Sequence, residues 1–354
     1  MTEEFAPNER KSFWQSRLQA IDWSVVLLVL AVKALVFLFA ILSFDSRASL
    51  PEHWMEMWNR WDSLHYQAIA EHGYSGAGEE RVQLAFFPLY PWLVRLIAHA
   101  CGNYLLAALL VSGAASVVAA LLLKRLARLD DSPEIAHEAV WFLLIFPTSF
   151  FLHISYTESL FLALVLGSIL AARLDQWAVA GVVGAAACAT RLNGCVLIPV
   201  LMVEAWQQWR TTRRINPRWL WIGAAAGGLG IYLLINYRVT GDAFAFLRIQ
   251  EGHWYKKIRP PWIGVGDIWL RAVGANFMEG LQEFLFAMLG LVAIVWCWLK
   301  SRPSYALWMT GNWLLFMSTS FVLSVPRYTL MFFPLFILFA RLATARAWMQ
   351  RVLT

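Results

Sequence analysis

Residues 24–44 read SVVLLVLAVKALVFLFAILSF, an apolar run interrupted by one charged residue, Lys33. A run of this length can cross a hydrocarbon core of about 30 Å as a helix, because a helix rises about 1.5 Å per residue. It is too long for the core of a signal peptide, and no small-residue cleavage site follows it. We therefore expect a retained membrane anchor near the N-terminus.

The rest of the chain has the same apolar character. Of its 354 residues, 60% are hydrophobic and 15% are charged, and the mean hydropathy is +0.56. Soluble domains have about 45–50% apolar and about 25% charged residues. The apolar runs are continuous rather than alternating, which favours helices over a β-barrel. The composition predicts an all-α integral membrane protein with about ten transmembrane helices.

The placement of Lys and Arg predicts how these spans are oriented. With the N-terminus inside, the cation clusters at 124–128 and 210–214 both face the cytoplasm, as the positive-inside rule requires. The rule holds only if the run 176–206 is broken at 190–194. The predicted spans are 24–44, 103–123, 138–154, 157–173, 176–190, 193–206, 218–236, 281–299, 305–323 and 328–345.

This topology leaves two long outer loops, 45–102 and 237–280. In the first, residues 54–72 and 86–100 carry apolar side chains at helical spacing, which predicts two amphipathic helices at the membrane interface. No internal repeat or low-complexity linker is visible, so residues 1–354 are expected to form a single domain.

Asp62 is the first candidate for chemistry. It lies in the first outer loop, within the stretch RWDSLHY at 60–66. A carboxylate at this position could take a proton from an attacking hydroxyl group, as a general base does. Asp is also a favoured helix N-cap, so Asp62 could instead cap a helix that starts at Ser63, and the two roles can coexist.

Three arginines are predicted at the outer ends of spans, against the charge rule. Arg191, Arg238 and Arg327 could bind a lipid phosphate through charge-assisted hydrogen bonds and stabilise negative charge on it. The alternative for each one is an arginine that reaches toward lipid headgroups.

Other polar and aromatic residues of the outer side are predicted to bind substrate. Glu158, at the start of a span, could bind hydroxyl groups, pair with an arginine, or complement the positive end of its helix. Polar and aromatic groups together suit a sugar, although the patch around His253 and Trp254 also suits an ordinary interfacial loop. The full set of candidates is Arg60, Trp61, His65, Tyr66, Glu158, His253, Trp254 and Tyr328. No spacing typical of a metal site or a disulfide framework is visible.

Six short motifs, taken in order, resemble one family. They are RWD at 60–62, AFFPLYP at 85–91, FPTSFF at 146–151, YTESLF at 156–161, ATRLNG at 189–194 and PRY at 326–328. The ordered set resembles the PIG-V type family, which comprises GPI mannosyltransferase 2 and its prokaryotic relatives, within the GT-C superfamily of glycosyltransferases.

The resemblance implies a multi-spanning enzyme that takes a sugar, typically mannose, from a polyprenyl phosphate such as dolichyl phosphate. The implied partners are this donor, a glycan or glycolipid acceptor and membrane lipids, with no nucleic acid. The resemblance also implies inversion at the anomeric carbon. Neither a metal nor a cofactor is expected, because the leaving phosphate needs charge stabilisation rather than a proton. Asp62 matches the catalytic acidic residue of the first outer loop. The site is expected on the extracytoplasmic side of a bacterial or archaeal plasma membrane, or of the endoplasmic reticulum in a eukaryote.

Two other classes of protein remain open. In a carrier that flips lipid-linked sugars, the arginines would guide a phosphate across the membrane, but such proteins usually show inverted repeats and ionisable groups at mid-depth. A ligase that uses a diphosphate-linked oligosaccharide would need more cationic residues than this chain has on its outer side.

Overall fold

The computed structural model describes residues 21–43, 55–274 and 276–345. This part of the chain is almost entirely helical and contains no β-strand, apart from a single bridge between Ile258 and Thr319. Its α-helices are α1 (Trp23–Leu42), α2 (Asp62–His72), α3 (Leu89–Cys101), α4 (Tyr104–Ala127), α5 (Pro133–Ile145), α6 (Glu158–Arg173), α7 (Trp177–Cys188), α8 (Leu197–Thr212), α9 (Ala226–Thr240), α10 (Ala245–Trp254), α11 (Pro261–Ala272), α12 (Phe277–Lys300), α13 (Pro303–Met317), α14 (Val325–Thr329) and α15 (Phe333–Ala345).

Four of the described segments are long and apolar enough to cross a membrane by themselves. They are α1, α4, α12 and the continuous helix Pro217–Thr240, in which a 3-10 segment, Pro217–Ala225, leads into α9. Large apolar side chains on α1, such as Leu27, Leu35 and Phe39, are exposed, as lipid contact requires. The predicted all-α membrane fold is confirmed, whereas the number of spans remains a prediction.

The helix α6 lies at the centre of the bundle. Twelve of its side chains are buried, and it packs against α4, α7 and α8. It begins at Glu158 and ends at Arg173, and these two ends are about 22 Å apart at the usual rise of a helix. Its two termini therefore belong to opposite ends of the bundle.

One end of the bundle is held by ion pairs between helix ends and the turns beside them. These are Lys124 with Asp22 at 2.6 Å, Arg173 with Asp130 at 2.5 Å, Arg302 with Glu204 at 2.9 Å, and Arg341 with Asp131 at 2.7 Å. Each of these residues lies in a segment predicted to face the cytoplasm or near the end of a predicted span that leads to one.

Four predicted spans have different boundaries in the structure, and one of them is 305–323, whose helix α13 covers Pro303–Met317. The span 138–154 was wrong: α5 begins at Pro133 and ends at Ile145, because Pro147 forces the preceding residue, Phe146, into an extended conformation. The spans 193–206 and 328–345 each begin with a separate short segment, Leu192–Val196 and α14 respectively. The break predicted near 190–194 is present, between the end of α7 and the start of α8.

The two helices predicted in the first outer loop are present as α2 and α3, but α2 begins at Asp62 rather than near residue 54, which lies outside the described residues. α2 buries one face, formed by Ser63, Tyr66, Ile69 and Ala70, against α3 and α4. The second outer loop contains two helices, α10 and α11, so the described residues of both loops are largely helical.

Candidate active site

A cavity of about 590 Å³ lies at the end of the bundle opposite the ion pairs, where α2 and α14 begin. Among the predicted site residues, it is lined by Trp61, Asp62, His65, Tyr66, Arg191, Trp254, Arg327 and Tyr328. These residues come from four distant parts of the sequence. The structure therefore brings most of the predicted site residues to one place.

Asp62 is the first residue of α2, and Trp61 occupies the N-cap position. The Asp62 carboxylate makes no capping hydrogen bond, so the capping alternative was wrong. Instead, Arg327 Nη1 donates to Asp62 Oδ2 at 2.9 Å. Within the described residues, Oδ1 of Asp62 accepts no hydrogen bond. One carboxylate oxygen is thus held in place while the other remains available to a ligand.

Glu158 lies beneath the cavity and holds both arginines. Arg191 Nη1 donates to Glu158 Oε1 at 2.6 Å and to Thr157 Oγ1 at 2.9 Å. Arg327 Nε lies 3.0 Å from the same Glu158 oxygen. The Glu158 side chain is 1% exposed and does not line the cavity. Of the roles considered for it, pairing with arginine matches its contacts.

A strained turn places Asp62. Trp61 has φ = 51°, in a region that L side chains rarely adopt. The Tyr156 hydroxyl fixes this turn, because it accepts a hydrogen bond from the Asp62 N–H at 3.3 Å and donates to the Arg60 carbonyl at 3.1 Å. A hydrogen bond between the hydroxyls of Ser63 and Ser155 makes a second contact beside this turn.

A buried carboxylate on α12 places Arg327. Glu283 accepts hydrogen bonds from the backbone N–H groups of Ser324 and Val325, both at 2.7 Å, one at each carboxylate oxygen. Ser324 has φ = 67°, and α14 starts directly after it. Glu283 therefore caps the short helix that carries Arg327, and no sequence motif pointed to it.

Aromatic rings form one wall of the cavity. His65 stacks on Phe86 with ring centroids 4.7 Å apart, and Trp254 packs edge-on against both. Burial lowers the pKa of His65, and the lowering exceeds the opposite effect of the nearby Asp62. This lowering favours the neutral imidazole, which can form hydrogen bonds with a ligand.

An apolar groove of about 320 Å³ joins this cavity. Its walls include Phe246, Leu247, Leu315 and Phe316. Arg191, Lys256 and Tyr328 line both spaces. The polar cavity and the apolar groove therefore meet at two cationic side chains. This arrangement suits a ligand whose polar and apolar parts are joined by an anionic group.

Besides Glu158, three predicted residues do not line the cavity. Arg60 is exposed and contributes its backbone carbonyl, and Arg238, near the end of α9, is exposed as well. His253 borders a separate, open cavity on another face of α10. The predicted site residues did not include all of the lining. Among the residues that they left out are Tyr156, which lies in the quoted YTESLF motif, and Lys256, two positions after Trp254.

The sequence matches the model of a known protein family. The model of a mannosyltransferase family, PIG-V, matches residues 13–216, more than half of the chain. The chain belongs to the PIG-V mannosyltransferase family. This confirms the resemblance inferred from the six motifs. No curated protein sequence matches the chain.

Solved structures share the fold of this PIG-V family member at low identity. ArnT from Cupriavidus metallidurans, bound to undecaprenyl phosphate, is 16% identical with a TM-score of 0.54, and the match covers 92% of this chain and 61% of ArnT. The apo oligosaccharyltransferase of Archaeoglobus fulgidus is 11% identical with a TM-score of 0.50, covering 91% of this chain and 50% of that one. The chain thus spans less than two thirds of either protein.

Proposed function

We propose that this protein is an inverting glycosyltransferase that moves a sugar, mannose, from a polyprenyl phosphate to a hydroxyl group of a glycan or glycolipid on the extracytoplasmic side of the membrane. The observation that carries the proposal is Asp62, a carboxylate in the cavity with one oxygen held by Arg327 and the other without a partner among the described residues. Membership of a mannosyltransferase family supports the sugar.

In the proposed reaction, the acceptor oxygen attacks the anomeric carbon as the bond from that carbon to the phosphate oxygen breaks. The bonding electrons leave with polyprenyl phosphate, and the proton of the acceptor hydroxyl passes to Asp62. A single displacement inverts the anomeric carbon, and its transition state has oxocarbenium character. The negative charge that develops on the phosphate is stabilised by cationic side chains rather than by a metal.

The shape of the site supports an orientation for the donor. The sugar would lie in the polar cavity beside Asp62 and the aromatic wall of His65, Phe86 and Trp254. The prenyl chain would follow the apolar groove, and the phosphate would lie where the two spaces meet. The undecaprenyl phosphate bound to ArnT supports a lipid of this class.

Replacement of Asp62 by Asn tests the proposal. Asn keeps an acceptor for the Arg327 hydrogen bond but cannot take a proton, so we expect Asp62→Asn to abolish transfer of radiolabelled mannose from polyprenyl-phosphate mannose while donor binding persists. The control is Glu71→Gln, on an exposed residue of the same helix, which should keep full activity. Turnover of Asp62→Asn near the wild-type rate would refute the base assignment.

The assay also separates an enzyme from a carrier. A carrier would move labelled donor across proteoliposome membranes without forming any glycosylated product, and Asp62→Asn would leave that movement intact. That pair of results would replace the proposal with a flippase function.

A further inference from the structure

Three cationic side chains line the polar cavity: Arg191, Arg327 and Lys256. Both arginines already have carboxylate partners in the protein, since Glu158 contacts both and Asp62 contacts Arg327. Two guanidinium groups therefore face two carboxylates. This set alone gives the cavity no net charge with which to attract an anion.

Lys256 differs from the two arginines. Within the described residues, its ammonium group donates no hydrogen bond and forms no ion pair, although the side chain is half-buried at the junction of cavity and groove. The neighbouring Lys257, by contrast, is exposed and pairs with Glu251 at 2.7 Å. An uncompensated cation in a partly buried site has strong affinity for a charged ligand, because little water competes with that ligand.

The backbone around Lys256 is fixed on both sides. Its N–H donates to the Gln250 carbonyl at 3.0 Å, at the end of α10. On the other side, Ser320 ties down the flanking residues: the Lys257 N–H donates to Ser320 Oγ at 2.9 Å, and Ser320 Oγ donates to the Tyr255 carbonyl at 2.7 Å. Lys256 is thus held at the junction by the connection between α13 and α14.

We infer that Lys256 is the residue that binds the phosphate of the prenyl-linked substrate, and that it binds the monophosphate product more tightly than the donor. The inference rests on the proposed function. The donor phosphate is a diester with one negative charge, whereas the released polyprenyl phosphate is a monoester that carries up to two. A cation that faces this group is favoured more by the product and by the transition state than by the donor.

Binding measurements on the purified full-length protein in lipid nanodiscs test this inference. The probes are undecaprenyl phosphate and the uncharged undecaprenol, followed by tryptophan fluorescence, since Trp254 lines the same cavity. We expect Lys256→Gln to weaken undecaprenyl phosphate binding by about 10- to 100-fold, the range of a charge-assisted hydrogen bond. Lys256→Arg should restore most of the affinity, and undecaprenol binding should not change.

The matched control is Arg259→Gln. Arg259 is an exposed cation of the same segment that does not line the cavity, so its replacement should leave undecaprenyl phosphate affinity unchanged. In transfer assays, Lys256→Gln should lower kcat more than it raises the KM for the donor, and it should weaken inhibition by undecaprenyl phosphate.

Two results would overturn the inference. If Lys256→Gln binds undecaprenyl phosphate as the wild type does while the wild type transfers mannose, Lys256 is not the phosphate ligand and the proposed function stands. If the wild type neither binds the monophosphate nor transfers sugar, the inference and the proposed function both fail. Binding that depends on Lys256, without any transfer, would support the phosphate site and refute the glycosyl transfer.

Discussion

Glu158 is a buried carboxylate shared by two arginines from different parts of the chain. Arg191 lies in the turn after α7 and Arg327 in α14, and both contact the same carboxylate oxygen. Without this carboxylate, the largely buried guanidinium of Arg191 loses its carboxylate partner and that of Arg327 keeps only Asp62. We expect Glu158→Ala to lower the free energy of unfolding by about 3–5 kcal/mol, measured by denaturation in detergent micelles.

The control for this loss is an exposed ion pair. Glu251 and Lys257 are both more than half exposed, so Glu251→Ala should change stability by about 0–1 kcal/mol. Equal losses for Glu158→Ala and Glu251→Ala would mean that the buried cluster does not hold the site together.

Short helical elements, rather than the long apolar helices, carry the reactive groups. α14 has five residues and buries Val325, Pro326 and Thr329, and its start is held by Glu283 of α12. α2 begins with Asp62 and depends on the turn at Trp61 that Tyr156 fixes. The relative positions of Asp62 and Arg327 are therefore set by contacts at the starts of two helices.

Loss of the Glu283 cap should displace α14 and with it Arg327, which should reduce catalysis. We expect Glu283→Ala to lower kcat/KM by about 10- to 100-fold, because a displacement of about 1 Å in a catalytic constellation has an effect of that size. Glu283→Gln, which keeps an acceptor for one of the two N–H groups, should retain more activity than Glu283→Ala.

The neighbouring Gln282, exposed on the same helix, provides the comparison, and Gln282→Ala should leave kcat/KM unchanged. If Glu283→Ala has wild-type kcat/KM, Arg327 is held in place by Glu158 and Asp62 without the cap.

The cavity and the ion pairs lie at opposite ends of the helix bundle. The cavity lies at the end where α6 begins, and the ion pairs of Arg173, Arg302 and Arg341 lie at the end where α6 finishes. The cationic turn after α8 belongs to the second end, since Gln207 of α8 accepts a hydrogen bond from Arg302. This separation agrees with the positive-inside prediction.

Cysteine labelling tests which end faces outward. Arg81 is exposed at the cavity end and Arg214 is exposed after α8, so we expect Arg81→Cys to react with a membrane-impermeant maleimide in intact cells and Arg214→Cys to react only after lysis. The unsubstituted chain, with its four cysteines, gives the background. The reverse pattern would place the cavity on the cytoplasmic side.

The apolar runs predicted most helices of this protein, because hydrophobic length is a local property of the sequence. They identified α4, α6, α7 and α12 closely, and they failed where one residue changed the backbone, as Pro147 does at the end of α5. Asp62 was a candidate because it lies in the first outer loop, and Arg191 and Arg327 were candidates because they lie at the outer ends of predicted spans. Each of these residues lies in a short stretch that can be recognised without its partners.

Tertiary structure alone decided how these residues are combined. Asp62 and Arg327 are 265 positions apart and meet where α2 and α14 begin, while Arg238, an equally plausible arginine in sequence, lies exposed on α9. Glu283 and Lys256 carry no motif, and their positions follow from which helix ends lie side by side. The physical reason is that the hydrophobic length of a segment depends on residues adjacent in the sequence. An ion pair or an unpaired cation depends instead on how helices that are distant in the chain pack against one another.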